Sequence, residues 1–381
     1  MKILFATGIY PPDAGGPATY VRSMARAFVE RGHTVEVVCY ADVVKSTGGD
    51  PFSVHCVSRS LLLPIRYAVF AWKVFSRAMV MKADFVYLQG PVSEGFPGTL
   101  GAMLARKPTV MKVVGDYAWE IYQGACVKSG DTGELLYEFI TKRPHAGKVK
   151  WLEHIERWTA KHAKSIVVPS QYLKNIVQLW GVPKEKISVI YNAISDFPAG
   201  TDRASFRGAQ GLDASRVLFT AVRAVPWKQI DFIIHLLPDL PRDVIFVIAG
   251  DGPRLSSWKA GVERSHLQDR VRFVGRCDRM RMGEWYRAAD LFVLPSGYEG
   301  FPHVIPEAAS QGLPSFVSDQ GGNPETKTLL GSVCVTVLPY LDREKWLAAL
   351  KATWPERCAS HADVLQFDHM VTSTEKVLQS L

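Results

Sequence analysis

Two carboxylates eight positions apart, Glu299 and Glu307, lie in the segment Pro295-Ser296-Gly297-Tyr298-Glu299-Gly300-Phe301-Pro302-His303-Val304-Ile305-Pro306-Glu307-Ala308. The segment follows a run with the character of a buried strand. Its first carboxylate falls in a glycine-flanked loop and its second just inside a helix opened by a proline. A loop carboxylate at the carboxyl end of a strand can accept hydrogen bonds from the hydroxyls of a bound ligand. A helix start adds free N–H groups and a positive dipole end that suit a phosphate. The plainer use of the same residues is glutamate capping of a helix N-terminus. Three more segments follow strand-like runs in the same way. Arg223 and Lys228 flank Val225-Pro226-Trp227 after Val217–Val222, Ala249-Gly250-Asp251-Gly252-Pro253 follows Val244–Ile248, and Gly321-Gly322-Asn323-Pro324-Glu325 follows Ser315–Val317. A cation pair beside a turn suits an anion; a solvated basic pair is the other reading.

These loops need strands to hold them. The N-terminal half alternates short apolar runs with helical stretches: Ile3–Ala6, a helix from about Pro17 to Arg31, then Thr34–Cys39, with further strand candidates at Phe85–Leu88, Thr109–Val114, Ser165–Val168 and Ile187–Ile190. That is the β-α-β pattern of a parallel sheet. After the turn-rich, proline-bearing stretch Asn192 to Thr201 the alternation starts afresh, with strand candidates at Val217–Val222, Val244–Ile248, Val271–Val274, Leu291–Leu294, Ser315–Val317 and Cys334–Val337. A length of 381 residues against roughly 150 per domain points to two cores. The expected division is 1–195, 196–362 and a C-terminal helix, 363–381, packing back toward the first domain. Doubly wound sheets bind ligands at the carboxyl ends of their strands, so a cleft between two such domains is the expected site.

Apolar residues at 47% and charged residues at 22% exclude a disordered chain and a polytopic membrane protein. Met1-Lys2 runs straight into Ile3–Ala6, too short for a secretory leader, so a cytoplasmic location is expected. The six cysteines show no C-x-x-C spacing and indicate neither a zinc site nor a disulfide framework. The net charge of +8 is unevenly placed: residues 1–195 carry +9 and the remainder −1. A basic half suits a phosphate-bearing molecule, a nucleic acid or an anionic membrane surface.

In order and spacing, the loops around Arg223 and Lys228, Gly250, the Glu299/Glu307 pair and Gly321-Gly322 closely resemble the donor domain of glycosyltransferase family 4. Tyr10-Pro11-Pro12-Asp13-Ala14-Gly15-Gly16 resembles that family's N-terminal glycine loop, and Val189-Ile190-Tyr191-Asn192-Ala193 its interdomain junction. The likeness spans nearly the whole chain, more loosely between about Val43 and Lys150. It implies the GT-B fold, two Rossmann-like doubly wound α/β domains facing a central cleft, and a retaining, metal-independent transferase. It further implies a nucleoside-diphosphate sugar as donor substrate and no cofactor. On that resemblance Arg223 and Lys228 neutralise the diphosphate, Glu307 accepts hydrogen bonds from the ribose hydroxyls, and Glu299 with Gly300, Phe301, Pro302 and Val304 holds the sugar. Gly15 and Gly16 let the first loop approach the pyrophosphate, where the alternative is a plain tight turn. Family members often carry His-Asp after the strand corresponding to Thr109–Val114. Here that place reads Gly115-Asp116-Tyr117, which leaves Asp116 and Tyr117 as substitutes for the sugar contact, or Asp116 as a helix cap. No D-x-D motif occurs, in keeping with the metal-independent family.

The acceptor half is read from its surface. Pro64 to Val80 is almost continuously apolar, interrupted by Arg66, Lys73 and Arg77. At about 100 degrees per residue these three fall within about 40 degrees on a helix. The run is either an interfacial helix against an anionic bilayer or a core helix with one solvated stripe. Thr141 to Lys150 adds lysines, and Trp151 and Trp158 add aromatics; alternatively the lysines are ordinary surface residues. Together with the charge, these features suit a saccharide or polyprenol-diphosphate-linked acceptor, or a lipopolysaccharide core, taken up by an enzyme peripheral on the inner face of the plasma membrane. A nucleotide-sugar epimerase of the same fold would share the diphosphate contacts. A dehydrogenase is disfavoured by the missing G-x-G-x-x-G. A nucleic-acid module is disfavoured by the acidic second half.

Overall fold

The structure, a computed structural model, describes residues 1–381 except 14, 42–48, 130–132, 143, 195 and 359–364. Of the sequence expectations, Ala14 of the glycine loop, Arg143 of the lysine-rich run, the Ser195 boundary and residues 363 and 364 of the C-terminal helix lie outside the described residues. The chain forms two compact units, one of Met1–Tyr191 with Asp368–Leu381, the other of Asn192–Phe367.

The first unit holds a seven-stranded parallel sheet: β1 Lys2–Thr7, β2 Thr34–Tyr40, β3 Ser53–Val57, β4 Phe85–Gln89, β5 Thr109–Lys112, β6 Ser165–Val168 and β7 Ile187–Val189. The spatial order is β3-β2-β1-β4-β5-β6-β7. The direction of progression reverses between β1 and β4, which makes their carboxyl ends the switch point where such sheets hold ligands. β1, β4, β5 and β6 are buried almost throughout, because helices cover both faces of a parallel sheet and the strands become continuous apolar runs. That is why they could be read from sequence. β3 was missed: it is an edge strand, Ser-Val-His-Cys-Val, only partly buried.

The C-terminal helix Phe367–Gln379 belongs to this unit. Its buried residues Met370, Val371, Thr374 and Leu378 recur at three- and four-residue spacing and form one stripe. On its outer side Arg31 Nη1 donates to Glu375 at 2.8 Å, His33 Nε2 lies 2.7 Å from Glu375, and Arg31 also reaches Asp368. Together Arg31 and His33 hold the Glu375 carboxyl below its usual range.

The second unit holds a six-stranded parallel sheet: β8 Arg216–Ala221, β9 Val244–Ala249, β10 Val271–Gly275, β11 Leu291–Leu294, β12 Ser315–Ser318 and β13 Val335–Leu338, in the order β10-β9-β8-β11-β12-β13. Its switch point lies between β8 and β11. One sequence expectation is corrected here: Cys334 and Cys358, 24 residues apart, are joined in a disulfide with Cα atoms 5.5 Å apart. Scattered spacing cannot reveal a pair that only the fold brings together.

Candidate active site

In the second unit, the strands' carboxyl ends bring the chemistry-bearing loops side by side. β8 leads to Arg223 and, through the short turn Pro226–Lys228, to Lys228. β11 leads to Glu299 and then to the helix Val304–Ser310, which carries Glu307 in its first turn. Across the switch point Lys228 Nζ donates to Glu299 Oε1 at 2.5 Å, and both side chains are largely buried. Arg223 is exposed, and no partner for its guanidinium is found among the described residues.

Glu307 is fixed by two groups that sequence reasoning did not select. Arg279 Nη1, from the helix Arg279–Ala288 after β10, donates to Oε1 at 2.6 Å, and the buried Tyr286 hydroxyl donates to Oε2 at 3.2 Å. Arg279 itself lies 3.7 Å over the Phe197 ring. A carboxylate has about four acceptor positions, so two held donors fix its orientation and still leave lone pairs for a ligand's hydroxyls.

The glycines set the height of these loops. At Gly321, where φ is +63°, an added Cβ would fall 2.5 Å from Glu299 N, and Gly322 N–H donates to Glu299 O at 2.7 Å. At Gly250, φ +119°, a Cβ would lie 1.9 Å from Val222 O, beside Arg223. Only residues without Cβ let the β9 and β12 loops close under the loops that carry Arg223 and Glu299. Gly300, Phe301 and Pro302 are buried behind Glu299 and Val304 is partly exposed.

In the first unit, the glycine loop follows β1. A Cβ on Gly15 would come 2.8 Å from Ile9 Cδ1, whereas one on Gly16 would meet nothing within 4 Å. Asp13 of the loop is gripped by Arg59, which also donates to Tyr40 O at 3.0 Å. Asp116 proves to be a buried cap. It is 2% exposed, Oδ1 accepts from Trp119 N–H at 2.8 Å, and Oδ2 accepts from Trp180 Nε1 at 3.3 Å. Glu156 lies against it and accepts from Tyr117 N–H at 2.9 Å. Burial pushes the Asp116 carboxyl up to about 6, and burial and Asp116 push Glu156 well above the carboxylate range. Of the two uses weighed for Asp116, the geometry therefore fits helix capping.

A carboxyl that sequence reasoning passed over occupies the switch point of this unit. Glu94, after β4, is 7% exposed and wedged so that Cβ atoms on Gly8 and on Gly90 would each fall 2.9 Å from one of its oxygens. Ser93 Oγ donates to it, and burial pushes its carboxyl up to about 7. Nothing but two glycines and two prolines around a lone glutamate marked it in the sequence.

The basic stripe is placed differently from either expectation. On the helix Leu63–Val80, Arg77 donates through Nε and Nη2 to Glu36 at 2.7 and 2.8 Å, Lys73 Nζ to Cys56 O at 3.3 Å, and Arg66 Nη1 to Arg59 O at 3.0 Å. The cations thus turn toward β2, β3 and the loop after β3, and the solvent face is apolar: Ile65, Val69, Trp72 and Met79 are exposed. The helix Gly95–Leu104 packs alongside, close enough that a Cβ on Gly101 would sit 2.3 Å from Ala71 O, and exposes Leu100, Met103 and Leu104.

Two parallel α/β units, each with loops gathered at its strand ends, have the architecture of the GT-B fold. The sequence matches the family described as Glycosyltransferase Family 4 over residues 14–196 and that described as Glycosyl transferases group 1 over residues 202–329. The chain belongs to this glycosyltransferase family and is a hexosyltransferase. An uncharacterized glycosyltransferase of Methanocaldococcus jannaschii is 26% identical over 84% of this chain and 81% of its own length. The Escherichia coli UDP-Gal:alpha-D-GlcNAc-diphosphoundecaprenol alpha-1,3-galactosyltransferase is 28% identical over 70% of this chain and 65% of its own. Among solved structures, Anabaena HepE in complex with UDP matches the fold with a TM-score of 0.75, at 20% identity over 100% of both chains.

Proposed function

We propose that the chain transfers a hexose, with retention of configuration and without a metal ion, from a UDP- or GDP-sugar to a saccharide acceptor carried on a lipid or destined for a cell-surface polysaccharide. The observation that carries this reading is the pairing of Lys228 with Glu299 beside a Glu307 whose orientation Arg279 and Tyr286 fix. Glu307 takes the ribose hydroxyls; Glu299 and the backbone of Gly300 to Pro302 take the sugar. Arg223 and Lys228 stabilise the negative charge that builds on the diphosphate as the glycosidic bond breaks. Attack then comes from the face the diphosphate leaves, within an ion pair. HepE's complex with UDP and the galactosyltransferase's diphosphoundecaprenol acceptor support the donor and acceptor classes.

The same reading places the enzyme on a membrane surface. Among the described residues no helix is long and apolar enough to cross a membrane. The exposed apolar face shared by the helices Leu63–Val80 and Gly95–Leu104, with Trp72 at 64% and Leu104 at 67% exposure, suits shallow insertion instead. Lys82 and Arg106, exposed just past the ends of these two helices, supply cations for anionic headgroups.

The test is thermal stabilisation by UDP, GDP, ADP, CMP and NAD. A ligand at 100 times its Kd stabilises the native state by about 2.7 kcal/mol. One nucleoside diphosphate is expected to raise Tm, and Glu307→Ala to remove the shift by weakening binding on the order of 100-fold, the worth of two hydrogen bonds to a charged acceptor. Product formation only with added acceptor separates transfer from epimerisation. A shift with NAD alone, or none with any diphosphate, refutes the reading.

A further inference from the structure

At the edge of the first unit's sheet, Cys39 of β2 and Cys56 of β3 occupy the same register position, so their side chains leave the same face. Their Sγ atoms are 3.5 Å apart. Cys39 is 1% exposed; Cys56 is partly exposed. Adjacent strands run about 4.8 Å apart, inside the Cα range of roughly 4.4 to 6.8 Å that disulfides span. Closing the sulfurs to bonding distance takes about 1.5 Å of local movement. The pair is also electrostatically asymmetric. The thiol–thiol hydrogen bond and the positive charges of Lys73 and Arg59 draw the Cys56 thiol down to about 7, while the same hydrogen bond and burial push Cys39 up. The sulfur that solvent reaches is therefore the one that ionises.

We propose that Cys39 and Cys56 form a dithiol modification site that a low-molecular-weight disulfide oxidises to an intramolecular disulfide. The Cys56 thiolate attacks one sulfur of the oxidant, forming a mixed disulfide and releasing one thiolate of the oxidant. Cys39 then gives its proton to solvent and attacks the Cys56 sulfur, forming the Cys39–Cys56 bond and releasing the second thiolate. Two protein thiols are oxidised and one external disulfide is reduced to two thiols. The proposal requires nothing of the sugar-transfer reaction.

The experiment incubates the full chain with oxidised glutathione at pH 7 and maps cysteine peptides by mass spectrometry. Wild type is expected to yield the Cys39–Cys56 cross-link. Cys39→Ser is expected to stop at a glutathione adduct on Cys56, and Cys56→Ser to leave Cys39 unmodified. Cys39→Ala repeats the trapping arm should the serine disturb the core. Cys277, whose thiol burial pushes up, is the internal reference. At pH 7 the larger thiolate fraction of Cys56 outweighs the lower nucleophilicity that comes with a lower pKa, so Cys56 should react faster than Cys277. Adducts appearing on Cys277 as fast as on Cys56, or wild type stopping at the mixed disulfide, would overturn the proposal.

Discussion

Replacing Glu94 with glutamine should change how the protein's stability depends on pH. In the folded chain burial holds the Glu94 carboxyl at about 7 against an ordinary 4.5. Between those values the folded state keeps a proton that the unfolded chain has released. Stability then falls as pH rises, because the state that binds more protons loses ground. The contribution is fully present below 4.5 and is lost by the time pH has passed 7. At 1.36 kcal/mol per pH unit, a gap of about 2.5 units amounts to about 3 kcal/mol. Glutamine stays neutral throughout and can still accept the Gly8 N–H. Glu94→Gln should therefore match wild type near pH 4.5 apart from a constant offset, and gain about 3 kcal/mol on it above pH 7.5. For a unit of this size that is roughly 6 to 12 °C in Tm. The assay is scanning calorimetry of both proteins at pH 5, 6, 7 and 8. All other titrating groups, including the Asp116–Glu156 pair, are shared and cancel in the difference. Any misfit of the amide adds a constant, so only the slope matters. A difference flat across pH would refute the argument that Glu94 is a desolvated carboxyl.

Gly321→Ala should cripple transfer while leaving nucleotide binding through Glu307 largely in place, because its Cβ would strike Glu299 N at 2.5 Å and push that loop outward. Gly16→Ala, whose Cβ meets nothing within 4 Å, should leave the unfolding free energy within about 0.5 kcal/mol of wild type; equal loss of turnover and nucleotide affinity in Gly321→Ala would contradict its assignment to the Glu299 loop. Paired Trp72→Asp and Leu104→Asp changes should reduce co-flotation with phosphatidylglycerol vesicles at least ten-fold, since each carries an exposed apolar side chain into the proposed contact. Undiminished flotation would remove that face from the membrane reading.

What the sequence made legible depended on how far apart the interacting residues stand. The strands buried on both faces announce themselves as apolar runs, and the donor-side loops are short segments whose glycines and charges travel together. β3 escaped because an edge strand carries Ser, His and Cys among its valines. Asp116 could be read as either cap or sugar contact until Trp180, 64 residues on, and Glu156 were seen to close over it. The helix of Arg66, Lys73 and Arg77 is the most instructive case. The angular arithmetic correctly put the three cations on one stripe, and periodicity assigns such a stripe to water because solvent is the usual partner for charge. Here Glu36 and two backbone carbonyls supply the partners instead, so the cations lie part-buried on the flank of the buried Phe70, Val74 and Ala78, and other apolar residues are left facing solvent. Periodicity finds the faces of a helix; which face meets solvent is decided by acceptors on other elements.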